Sequence, residues 1–186
     1  MDSGTRHRGR TPRGRWVDEA LRALGESGPD GVRVEVLAKA LGVTKGGFYW
    51  HFDGRDALVA EMLDAWERMV VDDAIALVER EEGHARTKLE RLFALPFRGD
   101  VLKVELAVRD WARRDAAVAE RLTRVDNRRM DYMRSLFREF CADDDEVEAR
   151  CMVAMSIFIG NHFVAADHGE RSRADVLKMV LARLEA

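Results

Sequence analysis

Lys45, Tyr49 and His51 set an ammonium, a phenol and an imidazole along one short stretch, with the Thr44 hydroxyl just before them and the Arg55 guanidinium just after. All of these groups can donate hydrogen bonds, and none sits in a pattern that would make it a nucleophile or a general base. Donors of this kind suit phosphate oxygens and the acceptor-rich edges of bases. Between Lys45 and Tyr49 stand Gly46 and Gly47. Each glycine costs about 1 kcal/mol against alanine inside a helix, a loss that close approach of the backbone to a phosphate or a base edge would offset. The chemistry indicated is recognition of a polyanion.

The other reactive side chains form no site. The five histidines, His7, His51, His84, His162 and His168, show no H-E-x-x-H pair, and there is no phosphate loop and no nucleophile motif. Cys141 and Cys151 lie ten residues apart, match no metal-ligand spacing and are explained most simply by a reduced cytosol. No catalytic residue, no metal and no cofactor is expected; a helical-bundle enzyme is the alternative that would need one. The start of the chain is charged and lacks an apolar core segment of the signal-peptide kind. The most apolar stretch, Cys151 to Ala166, contains Asn161 and His162 and is too short to span a bilayer. A cytoplasmic protein with no membrane partner is expected.

Charge is divided unevenly. Of 31 Lys/Arg and 34 Asp/Glu in the 186 residues, ten and seven fall at or before Arg55, leaving 21 against 27 beyond it. Arg6, Arg8, Arg10, Arg13 and Arg15 face a single acid, Asp2, over the first fifteen residues. A basic end on an acidic body suits a polyanion gripped by one end only.

The elements that must position the donors are helical. Three prolines, an excess of Ala, Leu, Arg and Glu, and singly placed β-branched residues predict an all-α chain. Residues 1–10 read as a flexible basic arm broken by glycine. Thr11-Pro12 would open a first helix with the stripe Trp16, Val17, Ala20, Leu21 and Leu24, closed by Gly25 to Gly31. Val34, Leu37, Ala38 and Leu41 mark a second short helix, and Gly42 suits the left-handed residue that ends it. Thr44 would cap a third helix running to about His51. Leu37, Ala38, Leu41, Val43, Phe48 and Phe52 supply an apolar wedge, so this third helix is held at a fixed angle as the reading helix of a helix-turn-helix. Beyond Asp53 to Asp56, a long fourth helix with Leu58, Met62, Ala65, Met69 and Val70 on one face would run to Glu81-Glu82-Gly83. Further helices are expected over about 84–95, 101–114, 115–141, 144–167 and 173–185.

Trp16 to Trp66, through Leu-Ala-Lys-Ala-Leu-Gly-Val-Thr-Lys-Gly-Gly-Phe-Tyr-Trp-His-Phe and then Arg55, Ala57 and Leu58, resembles the N-terminal domain of the TetR (tetracycline repressor) family of transcriptional regulators. The resemblance covers about the first third of the chain. It implies a helix-turn-helix from Arg33 to Phe52, with DNA contacts at Thr44, Lys45, Gly46, Gly47, Tyr49, Trp50 and His51 and a phosphate contact at Arg55. The paired glycines depart from members that carry side chains there, so base reading would lean on Lys45, Tyr49 and Arg33, with the arginine arm in the minor groove.

By the same resemblance, residues 11–57 form the DNA-binding domain, and residues 58–186 a helical bundle that binds a small effector and dimerises through its last two helices. Two features of the residues agree. Val147, Cys151, Ala154, Met155, Phe158 and His162 form one stripe of the penultimate helix, while Met152, Val153, Ile157, Ile159 and Phe163 cover much of the other side. A helix apolar nearly all round must be covered on both faces, which suits a homodimer through about residues 144–186. Trp66, Met69, Val108, Trp111, Phe158 and His162 are the expected lining of an effector pocket. The function expected is a repressor released from a palindromic double-stranded operator by an unknown small molecule. The alternative is a regulator answering to a protein partner or to no effector.

Overall fold

The structure, a computed structural model, describes residues 11–80, 82–95 and 100–184. The basic arm expected over 1–10 lies outside them. Among the described residues every regular element is helical: α1 (Arg13–Ser27), α2 (Val34–Leu41), α3 (Lys45–Tyr49), α4 (Arg55–Glu67), α5 (Asp73–Glu79), α6 (Ala85–Ala94), α7 (Asp100–Ala112), α8 (Ala116–Phe137), α9 (Asp144–Gly160) and α10 (Arg173–Leu184). A single 3₁₀ turn, Pro29–Gly31, leads into α2, and a π-helical turn, Arg68–Asp72, joins α4 to α5.

Two compact units emerge, one from the described residues of 1–69 and 97–122, the other from those of 70–96 and 123–186. The first therefore extends past the expected boundary near residue 57 and takes in α7 and the start of α8. The physical reason is a close helix crossing. α1 packs along α7 as well as against α2 and α4, and Gly25 makes the approach possible. A Cβ there would lie 3.0 Å from that of Lys103 and 3.2 Å from the Val104 backbone nitrogen. In this unit Trp16, Leu24, Leu37, Phe48, Leu58, Met62, Trp66 and Val108 are all fully buried. The Trp16 stripe expected of α1 is thus present, although Pro12 occupies the residue before the helix instead of its first turn.

In the second unit Ala85, Leu89, Met133, Leu136, Phe137, Val147, Cys151, Ala154 and Leu184 form one core. Asp143 caps α9, its carboxylate accepting from the backbone N–H groups of Asp145 and Glu146. This helix ends at Gly160, short of the expected end near residue 167, and Asn161 to Phe163 follow as a turn. The stripe Val147, Cys151 and Ala154 is buried as expected, whereas His162 lies past the helix end and is exposed.

The long fourth helix is interrupted. Hydrogen bonding widens to the π pattern over Arg68–Asp72 before α5 resumes the ordinary spacing. The inserted turn shifts which residues face inward, so Val70 and Val71 are both buried while Met69 is half-buried.

Candidate nucleic-acid interface

α2 and α3 are built from the turn between them. Gly42 takes the left-handed conformation, φ 67° and ψ 31°, which a side chain would strain. Its N–H bonds back to the Lys39 carbonyl, and the Val43 N–H to that of Ala38. The chain then enters α3 at Thr44, which caps by position through its backbone carbonyl to the Gly47 N–H and not through its hydroxyl.

Phe48 anchors α3 to the unit. Its ring is fully buried, edge-on to Trp16 at 5.4 Å and stacked on Phe52 at 5.2 Å. Burial of such a side chain contributes about 2–3 kcal/mol. With the i and i+4 aromatics turned inward, the opposite side of α3 faces outward. Tyr49 is 63% exposed and Trp50 74%, and Lys45, Gly46 and Thr44 are exposed beside them. Gly46 precedes Tyr49 by three residues and Trp50 by four, so it shares their side of the helix.

Neither glycine is needed by the fold. Gly46 and Gly47 have ordinary negative φ. A Cβ on Gly46 would find nothing nearer than the Thr44 hydroxyl at 3.8 Å, and one on Gly47 nothing nearer than the Trp16 ring at 3.9 Å.

The remaining expected contacts divide. Arg33 is exposed at the residue before α2. The Lys45 ammonium is 2.6 Å from a Glu35 carboxylate oxygen, and this hydrogen bond holds the Glu35 carboxyl below its usual range. His51 is half-buried, its Nε2 2.9 Å from the Thr11 carbonyl. Arg55 reaches back over the unit, donating Nε to the Val32 carbonyl at 2.7 Å and Nη2 to the Pro29 carbonyl at 2.8 Å. In this structure His51 and Arg55 therefore hold the helix-turn-helix together through backbone carbonyls.

Two residues absent from the expected set take part. Arg13 donates Nε to both Glu61 oxygens, at 3.0 and 2.8 Å, and Nη1 to the His51 carbonyl, with its guanidinium 4.4 Å from the Phe52 ring centroid. It ties the start of α1 to the segment that follows α3 and to α4. Glu35 is the other, as partner of Lys45. Neither is visible from local sequence, because the partners lie 48 and ten residues away.

Residues 17–62 match the profile of bacterial regulatory proteins of the tetR family. The chain carries a tetR-family domain. Over 67 residues it is 34% identical to the HTH-type transcriptional regulator AcrR of Shigella flexneri, a match covering 36% of this chain and 30% of that protein. The chain thus spans under a third of that relative's length. Beyond the tetR-family domain the likeness is one of fold. A Saccharomonospora viridis protein described as a transcriptional regulator, solved in complex with choline, superposes with a TM-score of 0.74 at 19% identity over 92% of this chain and 93% of its own. A Pseudomonas aeruginosa PAO1 protein described in the same way gives 0.67 at 19% identity over 93% and 89%. A TetR-family regulator from Rhodococcus sp. gives 0.66 at 20% identity over 93% and 96%. The tetR-family domain coincides with α1 to α4, so the residues exposed on α3 belong to its helix-turn-helix.

Among the expected pocket residues, Trp66 and Val108 are fully buried in the first unit, with Met69 and Trp111 half-buried. In the second unit Phe158 is half-buried, with the Arg129 guanidinium 5.7 Å from its ring centroid. Among the described residues no three His, Cys, Asp or Glu side chains gather as metal ligands, and no helix is long and apolar enough to cross a membrane.

Proposed function

We propose that this chain is a homodimeric transcriptional repressor that reads a palindromic operator through α3 and leaves it when a small molecule binds the helical body. The observation that carries the DNA half is the pair Gly46 and Gly47. Both weaken a short helix that the protein nevertheless keeps, and the space beside each would accept a methyl group. A residue that costs stability without serving the fold points to a surface outside the chain, and exposed Lys45, Tyr49 and Trp50 on the same helix suit a phosphate-lined groove.

The dimer is supported by the second unit. Met152 and Val153 on α9, Val164 beyond it and Met179 on α10 are all more than two-fifths exposed. An open apolar groove between the two helices is lined by Val153, Ile157, Val176, Leu177 and Val180 among others. A second copy laid against this face would remove that surface from water and give the assembly two copies of α3, one for each half of a palindromic site. The small-molecule half is supported by Trp66, whose buried indole N–H has no hydrogen-bond acceptor among the described residues. A ligand with an acceptor atom would satisfy it.

The test is selection of bound duplexes from a random pool, followed by titration with Gly46→Ala and Gly47→Ala. Each variant is expected to raise thermal stability while weakening binding to the selected duplex. Equal affinity in both variants and the parent would sink the assignment of α3 as the reading helix. Sedimentation of the free protein tests the dimer, and a ligand screen for operator release, compared with Trp66→Phe, tests the effector.

A further inference from the structure

Glu35 stands in the first turn of α2 and Lys45 in the first turn of α3, and the turn through Gly42 brings the two side chains to 2.6 Å. Both are more than half exposed, at 60% and 56% of their side-chain surface. An ion pair this exposed adds little to folding stability. It neutralises the first cation of the reading helix with a carboxylate whose geometry resembles that of two phosphate oxygens.

We propose that Glu35 is an intramolecular competitor of the DNA backbone for Lys45, setting how tightly the protein holds duplex DNA. The inference rests on the DNA-binding reading above. In the free protein the ammonium already has its anionic partner. To contact a phosphate it must leave Glu35, and the carboxylate then stands unneutralised beside a polyanion. Both effects lower affinity for every duplex, whatever its sequence, because phosphate contacts carry no sequence information. The pair therefore limits the time spent on arbitrary DNA, and the salt slope of binding should count Lys45 only in part.

The experiment uses the full chain and a random-sequence duplex of about 30 base pairs, titrated by fluorescence anisotropy between about 50 and 200 mM KCl, the range over which counterion release is steep. Glu35→Gln keeps the size and polarity of the side chain and removes its charge. It is expected to bind about three- to tenfold more tightly at about 100 mM salt, with a slope steeper by up to about 0.9, the value of one added phosphate contact. In a Lys45→Ala background the same substitution should give a clearly smaller gain, because only the repulsion by the carboxylate is then relieved. Unchanged or weaker binding by Glu35→Gln, with the parent binding normally, overturns this inference alone. An equal gain with and without Lys45 also overturns it, since the carboxylate would then repel DNA without acting through the lysine. A parent protein that fails to bind the duplex even at the lowest salt overturns the DNA-binding reading together with this one.

Discussion

The Arg55 guanidinium donates to the Val32 carbonyl at 2.7 Å and to the Pro29 carbonyl at 2.8 Å, so the residue that opens α4 fastens the loop that opens α2. Arg55→Ala removes two charge-assisted bonds of a partly exposed site, a loss of about 2 kcal/mol. That corresponds to a fall of about 4–8 °C in Tm for a chain of this size, read by thermal circular dichroism. Arg55→Lys keeps the charge but cannot span both carbonyls, and should recover no more than half of the loss. Full recovery by lysine would show that charge alone matters at this position.

Phe48 and Trp50 are two residues apart and face opposite ways, fully buried and 74% exposed. Phe48→Ala should cost about 3–5 kcal/mol through the cavity it leaves, and with it the order of α3. Trp50→Ala should leave stability within about 0.5 kcal/mol, as exposed substitutions do, while lowering affinity for a selected duplex. Urea denaturation of the two variants beside gel-shift titration of Trp50→Ala separates anchor from contact.

Arg109 donates to the Glu105 carboxylate at 2.9 Å, and Glu105 is fully buried on α7. The i, i+4 spacing is that of a surface pair, but here the carboxylate is buried and the guanidinium mostly so. Arg109→Ala leaves a buried carboxylate without its guanidinium and should destabilise by about 3 kcal/mol. Replacing both residues by Leu and Met should restore most of that loss. A single variant as stable as the parent would mean that water reaches Glu105.

The two thiols should separate by reactivity. Burial pushes the Cys151 thiol up to about 11, while Cys141 is half-buried near the α8–α9 turn. Since the thiolate is the reactive form, a disulfide reagent at about pH 8 should titrate one thiol per native chain and two in denaturant. The sign of the stability effect follows. A raised folded value favours the protonated form, so stability from this group is complete below the ordinary thiol range and is lost as pH rises through it toward about 11. Fast labelling of both thiols in native protein would place Cys151 at the surface.

Much of the first unit was legible because its signals are local. Gly42 announces a left-handed turn, Phe48 and Phe52 stand four residues apart and must share an inward face, and Trp16 repeats with Ala20 and Leu24 at helical spacing. What stayed hidden depends on partners distant in sequence. The Arg13 clamp joins residues 48 apart, and nothing near Arg13 distinguishes it from the basic arm. Arg55 and His51 are donors wherever they point, and only the fold turns them toward backbone carbonyls. α7 reads as part of the body because its stripe, Val104 and Val108, carries no sign of which helix covers it; Gly25, the residue that admits it, lies some eighty positions earlier. The π turn left no mark either, since Arg68–Asp72 continues the apolar pattern of α4.

The two glycines at 46 and 47 also bear on how such a protein changes over generations. Glycine codons reach alanine, serine, arginine, aspartate, valine and cysteine through single nucleotide changes. At each position the first carbon of any such side chain meets only ordinary van der Waals distances. Most of these replacements would leave the helix as stable as before or more so. If α3 reads DNA as proposed, a duplicated copy of this gene would change its contact with the duplex in one mutational step, without first passing through an unstable intermediate.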